Sequence, residues 1–234
     1  MTAPEPPTAS PPLLSIIVPV LDEADILEAL FDSLQPWRDM AEIIVVDGGS
    51  ADDSARLSRR LADRVLQGER GRARQQNTGA AAARGDYLLF LHADCRLRIA
   101  PEVFCRRLAH SPRWGFFDVR LSGSHPLLRI VEMLMCLRSR TTRVATGDQC
   151  LFVARPLFAS LGGFADIPLM EDVELCKRLR RIDRPAVQGP PVLTSSRRWE
   201  RHGVIRTVLL MWNLRLRFWL GESADSLHRR YYSR

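Results

Sequence analysis

A repeated junction constrains this chain more than any other feature. Three short, β-rich apolar runs, residues 13–20 (LLSIIVPV), 41–46 (AEIIVV) and 86–91 (DYLLFL), each lead into acidic residues: Asp22 and Glu23, Asp47, and Asp94. Runs of this length and composition read as strands buried on both faces. Helical stretches lie between them. Asp22 can cap a helix with Ile26, Leu27, Leu30, Phe31 and Leu34 on one face. Ser50 and Asp53 form a capping box for a helix over 51–61, and Val65–Leu66 suggests a brief third strand. Residues 72–84 are alanine-rich and helical, closed by Gly85. Strand–helix alternation predicts an α/β fold with a mostly parallel sheet and right-handed crossovers. Ligands of such sheets bind beyond the carboxyl ends of the strands, where the acids fall.

Helix capping accounts for Asp22 and Ser50. It accounts poorly for Asp47 and Asp94, which precede turns. Three acids converging on one sheet edge repel one another unless a cation or hydrogen-bond donors lie between them. A hard divalent cation beside a diphosphate meets that need. Neither GxGxxG nor GxxxxGK[ST] occurs, so the diphosphate site has no glycine cradle.

The second half is less regular: a helix over 100–109, a strand over 114–121, a helix over 125–140, a strand over 150–154, a helix over 170–182, an extended segment over 187–194 and a final helix over 203–220. Of the first twelve residues, five are proline, which reads as a disordered leader over 1–12. The domain reading is a single unit over 13–220. It comprises a nucleotide-binding half (13–99), an acceptor and catalytic half (100–202) and the apolar helix (203–220), followed by a basic tail (221–234).

With 234 residues, 46% hydrophobic and 26% charged, the chain reads as one globular protein without a transmembrane run or secretory signal. Five cysteines without a CxxC pair suit reduced thiols in a cytoplasm. The net charge of +7 comes from arginine, Lys177 being the one lysine. It favours anionic partners such as nucleotide diphosphates or acidic headgroups. Without basic clusters interleaved with aromatics, nucleic acid is not an expected partner.

The strings SIIVPVLDEADIL, EIIVVDGGSADDS and GRARQQNTGAAAARGDYLLFLHADC resemble the family-2 glycosyltransferases of GT-A fold, in particular a small bacterial single-domain branch. The resemblance runs from about residue 13 to 201. It implies that Pro19, Val20, Asp22 and Glu23 line the base and ribose pocket and that Asp47 contacts the base. It also implies that Arg72, Gln76 and Asn77 approach the nucleotide. Asp94 matches the metal-binding acid of the Asp-x-Asp motif, implying a Mg²⁺ or Mn²⁺ cofactor. His92 and Ala93 complete that motif, with His92 where an acid usually stands and able to meet ribose or metal. In GGFADIPLMED, Glu171 and Asp172 match the acceptor-site signature, with Asp172 as general base and Glu171 supporting it. Gly147, Asp148 and Gln149 match a segment contacting donor sugar or acceptor. Arg198 and Trp199 of SSRRW match a Gln-x-x-Arg-Trp motif of processive synthases. Ser195 replaces its glutamine, which favours one sugar per encounter.

The implied activity is transfer of a sugar, most readily UDP-linked, to an acceptor hydroxyl with inversion. A nucleotidyltransferase would share this architecture but would need a glycine-rich basic loop after the first strand, and VPVLDEAD has none. A non-catalytic nucleotide-sugar-binding module is the other alternative. It would be favoured by loss of Asp94 or Asp172, both of which are present. The 203–220 helix is apolar nearly all round, which leaves core packing, a membrane surface or a second copy as its partner. Lipid-linked acceptors fit the membrane alternative, which would place the protein peripherally on the inner membrane face.

Overall fold

The fold is taken from a computed structural model, which describes residues 12–232. Most of the expected leader, residues 1–11, and the last two residues of the expected tail lie outside the described residues. In chain order the elements are β1 (Leu14–Val20), α1 (Ala24–Leu34), β2 (Ala41–Asp47), α2 (Ser54–Leu61), β3 (Arg64–Gln67), α3 (Arg72–Ala82), β4 (Tyr87–Phe90), β5 (Cys95–Arg96), α4 (Pro101–Leu108), β6 (Trp114–Leu121), α5 (Pro126–Thr142), β7 (Phe152–Ala154), α6 (Arg155–Ser160), α7 (Glu171–Leu179), β8 (Ala186–Thr194), α8 (Arg197–His202), α9 (Val204–Trp219) and α10 (Ala224–Tyr232).

One eight-stranded sheet, in the order β3-β2-β1-β4-β7-β6-β8-β5, organises the chain. The four strands of the first half pair in parallel. β7 then inserts antiparallel to both β4 and β6, while β6 and β8 run parallel. Strand alternation divides the apolar residues between two cores. Ile16, Val18, Ile43, Val45 and Leu89 face the side covered by α1 and α4, where Leu30, Phe31 and Phe104 meet them. Ile17, Ile44, Val46, Leu88 and Phe90 face α3, α6 and α7 on the other side. With both faces covered, β1, β2 and β4 are apolar apart from Asp47 at a strand end and the buried pair Ser15 and Glu42, in which Ser15 Oγ donates to Glu42 Oε1 at 2.6 Å.

Helix α3 sits close to the sheet because its inward residues are small. A Cβ on Gly79 would lie 2.5 Å from the Ile17 side chain. This brings the first turn of α3 beside the ends of β1 and β2, where Gln75 Nε2 donates to the carbonyls of Val20 and Val46 at 2.8 Å each.

The helix starts differ from the sequence expectation. Asp22 does not cap α1, and the Ser50–Asp53 capping box does not form. Instead α2 begins at Ser54, and the two loops cap each other. The N–H groups of Asp22, Glu23 and Ala24 donate to Ser50 Oγ, Ser54 Oγ and Asp52 Oδ2. Asp22 Oδ1 in turn accepts from the Ala51 N–H at 2.7 Å. A partner 29 positions away is not a local pattern, so propensity rules miss it. Nor is 203–220 the final helix. Residues 224–232, expected within the basic tail, form α10, which buries Ala224 and Leu227.

Candidate active site

The loops after β1 and β2 form one wall of the cleft. Pro19 and Val20 are buried in β1, and the Val20 side chain belongs to the core, so only its backbone reaches the strand end. Asp47 is also buried, and its carboxylate anchors its own turn by accepting from the N–H groups of Gly49 and Ser50 and from Ser50 Oγ. That turn role, which capping logic did not foresee, occupies most of the acceptor capacity expected to serve the base. Asp22 and Glu23 lie at the rim. Desolvation, followed by the charge of Asp94, raises the Glu23 pKa against the pull of Arg197 and Arg72, so these side chains share one electrostatic neighbourhood.

On α3 the expected residues divide. Arg72 reaches solvent at the first turn, among Glu171, Tyr232, Tyr231 and Asp148. Desolvation opposes its charge, but these neighbours outweigh it and hold the guanidinium firmly protonated. Gln76 is buried, and its Oε1 has no protein partner. Asn77 is held within the protein at both ends of its amide: Nδ2 donates to the Phe164 carbonyl at 2.8 Å and Oδ1 accepts from the Phe164 N–H at 2.9 Å.

The opposite wall begins at the β4–β5 turn. The Ala93 side chain lies in the core and its carbonyl accepts from Arg96, whereas Asp94 is half-exposed. His92 is buried, with Nδ1 3.8 Å from Asp148 Oδ1. Gly147 lies flush on the imidazole: a Cβ at that position would come within 2.2 Å of it, so a side chain there would displace the ring. The Gly147 N–H donates to Asp172 Oδ2 at 2.7 Å, and Asp172 Oδ1 accepts from the Val173 N–H at 2.6 Å. The 147–149 turn thus joins the His92-Ala93-Asp94 segment to the first turn of α7.

Electrostatics distinguishes these acids. Asp148 is opposed by desolvation but falls below the usual carboxylate value through His92, Arg72 and Arg138. Asp172 is raised: desolvation outweighs the donors Gly147 and Val173 and the charge of His92. Glu171, more deeply buried, is raised by desolvation and then by Asp172, with Arg72 opposing. Each Asp172 oxygen keeps a lone pair beyond its backbone bond, so the carboxylate can still accept from a hydroxyl.

Three expected contacts have partners within the protein. The buried Gln149 amide is bound by Ser139 Oγ, by Arg138 and by the Phe117 carbonyl, so it anchors the turn and cannot reach a sugar. Arg198 lies 3.7 Å from the centre of the Tyr231 ring. Trp199 packs against the Leu121–Leu128–Val131 cluster. Pairing of Cys95 with Thr194 brings the Asp94 turn beside α8, and Arg197, the neighbour of the expected arginine, carries its charge toward Glu23. Two adjacent arginines give a sequence reader no means of choosing between them. The structure also adds Arg138 from α5. Desolvation lowers its pKa, its Nε is buried without a partner, and Asp172 and Asp148 supply its compensating charge.

Among the described residues no set of three or more His, Cys, Asp or Glu is arranged to hold a metal. Asp94 offers a half-exposed carboxylate at the cleft, whose one hydrogen bond among the described residues is from the Cys95 thiol at 3.8 Å. One protein carboxylate completed by substrate phosphates and water is a coordination that Mg²⁺ accepts, so the donor set fits a hard divalent cation bound together with a diphosphate.

Residues 15–106 match the family model for glycosyl transferase family 2. Over 92 residues the chain is 32% identical to a glucosyl-3-phosphoglycerate synthase of Mycolicibacterium paratuberculosis, which covers 35% of this chain and 28% of that protein. It is 36% identical over 92 residues to a PGL/p-HBAD biosynthesis glycosyltransferase of Mycobacterium tuberculosis, covering 36% of each. The chain thus spans about a third of the length of these relatives. A longer match, 29% identical over 190 residues, covers 75% of this chain and 72% of an uncharacterized glycosyltransferase of M. tuberculosis. Among solved structures, S. aureus TarS 1-349 in complex with UDP-GlcNAc superposes with a TM-score of 0.61 at 18% identity over 78% of this chain and 58% of that one. The Pyrobaculum calidifontis mannosyltransferase in complex with GDP-Man and Mn²⁺ gives 0.59 at 22% identity over 79% and 56%. Identities this low speak for the fold, which is of GT-A type. Over residues 15–106, the strands and acids of the first half, the chain is similar to glycosyl transferase family 2, and the likeness of fold extends through the second half.

Proposed function

We propose that this chain transfers a sugar from a nucleotide diphosphate sugar, UDP-linked before GDP-linked, to an acceptor hydroxyl with inversion, one sugar per encounter. One observation carries the reading. Asp94 and Asp172, the acids suited to the two ends of a displacement, are linked by a short chain of contacts through His92, Asp148 and Gly147. The solved relatives of this fold bound to UDP-GlcNAc and to GDP-Man support the donor class.

In this reading Asp22 and Glu23 at the rim receive the nucleoside, and Arg72 and Arg197 face its diphosphate. A Mg²⁺ or Mn²⁺ ion held by Asp94 and the diphosphate oxygens would neutralise charge growing on the leaving group. The acceptor oxygen bonds to the anomeric carbon from the face opposite the nucleotide. The bond from that carbon to the phosphate oxygen breaks, and the acceptor proton passes to Asp172. Raised by burial, Asp172 is a stronger base than a surface aspartate, and Arg138 and the Gly147 N–H keep it oriented. Glu171 supports it from the same turn.

A panel of UDP-, GDP- and dTDP-sugars with Mn²⁺, read as donor hydrolysis and nucleotide release, tests the donor class. Asp172→Asn should lower kcat by roughly 10²–10⁴-fold with donor affinity nearly unchanged. Asp94→Ala should remove metal-dependent nucleotide binding in calorimetry. Absence of heat with every nucleoside diphosphate, or full transfer by Asp172→Asn, would overturn the assignment.

A further inference from the structure

We propose that the outward faces of α5 and α9 form a docking surface for an anionic membrane. On α9, Ile205, Leu209, Trp212, Leu216 and Trp219 are 55–73% exposed. At about 100° per residue they fall within one arc of roughly 80°. The opposite side of the helix, through Leu214 and Phe218, already fills the core of the domain. The outward stripe is therefore surplus to packing among the described residues. On α5, Ile130, Met133, Leu134 and Leu137 form a second exposed stripe. The two helices meet where Leu128 and Val131 pack with Val204 and Val208. Their last turns both reach α7, Arg180 bonding the Thr142 carbonyl and Lys177 lying over Phe218. The stripes accordingly flank one line of contact.

Charge selects the occupant. Helix α9 contains three arginines and no acid, and the one acid of α5, Glu132, is buried and bonded to the Leu121 N–H and to Arg129. Arg215 borders one edge of the α9 stripe and Arg206 the other. Neither takes part in an ion pair among the described residues. A symmetric contact between two copies would set this arginine rim against itself in a chain of net charge +7. Anionic headgroups instead satisfy the arginines while the tryptophan and aliphatic side chains enter the acyl boundary. No described helix is long and apolar enough to cross a membrane, so α9 lies in the plane of the surface.

The test uses the full chain with vesicles of phosphatidylglycerol and phosphatidylcholine, against phosphatidylcholine alone, read by co-sedimentation and Trp emission. Light scattering gives the mass in solution. The protein should partition onto the anionic vesicles with a blue shift and be released by salt. Leu209→Glu combined with Trp212→Glu should abolish binding, and circular dichroism should show the fold retained. Arg206→Gln combined with Arg215→Gln should weaken partition by about tenfold or more while leaving the apolar stripe intact. A protein that ignores anionic vesicles overturns the proposal, as does equal binding to neutral ones. A dimer that Leu209→Glu dissociates, without vesicle binding, would assign the surface to a second copy.

Discussion

Gly147 serves Asp172 and His92 at once: its N–H holds the aspartate at 2.7 Å, and its missing side chain makes room for the imidazole. Alanine at 147 would have to displace either the ring or the turn. A bond to a charged group is typically worth about 1.5–3 kcal/mol. Gly147→Ala should therefore lower kcat by roughly 10–100-fold, with nucleotide affinity changed less. Single-turnover transfer alongside calorimetry separates the two effects, and an unaltered kcat would mean that the turn does not position the base.

Acidity should limit turnover in a defined direction. Asp172 must be ionised to accept a proton, and burial raises its pKa above the ordinary aspartate value. The acid limb of kcat/KM should accordingly lie above that of a solvent-exposed aspartate, with activity rising as pH rises through it. In Asp172→Asn the residual rate should lose this limb. A limb that persists unchanged in the variant belongs to another group.

Glu171 should cost stability at neutral pH. Its folded pKa is raised by desolvation and by Asp172, so the folded state holds a proton more tightly than the unfolded state does. The resulting stabilisation is complete below the unfolded pKa and is lost as pH rises through the folded one. Glu171→Gln remains neutral throughout. It should therefore melt higher than the wild type at pH 8, with the gain shrinking toward zero near pH 4; about 1 kcal/mol corresponds to roughly 2–4 °C in a chain of this size. Calorimetric melting at the two pH values checks the sign.

The adjacent arginines of SSRRW should separate by phenotype. Arg197→Gln removes an exposed charge directed toward Glu23 and should weaken binding of a nucleoside diphosphate. Arg198→Gln removes the cation over Tyr231, a contact worth about 0.5–2 kcal/mol, and should mainly lower the melting temperature. Titration of UDP against both variants, paired with thermal melts, reads the difference; the opposite pattern would return Arg198 to the site.

Periodicity and flanking turn residues made the first half legible almost element by element, because both faces of β1, β2 and β4 are buried and their runs are apolar but for Ser15, Glu42 and the terminal Asp47. The partners of the site residues were not legible. Asp47 turns inward on its own loop, Asn77 binds a carbonyl 87 positions away and Gln149 is held by α5. Such contacts depend on how layers stack, which local pattern does not encode. Arg138 was passed over for the same reason: within an apolar helix it reads as one of several arginines until the 147–149 turn is laid against it. Residues 221–232 looked like a charged tail because the buried side of α10 rests on few positions, Ala224 and Leu227 among them.

The paired hydrogen bonds between Asn77 and Phe164 bear on how chains of this fold could be recombined. The side chain of Asn77 grips both polar groups of the Phe164 backbone, so the loop leading into α7 hangs from a helix of the first half. A chimera joined between the halves would inherit the segment after residue 164 without its hook unless residue 77 travelled with it. Crossovers that keep 77 and 164 from the same parent should yield ordered domains. Those that part them should retain the sheet and lose the register of Asp172.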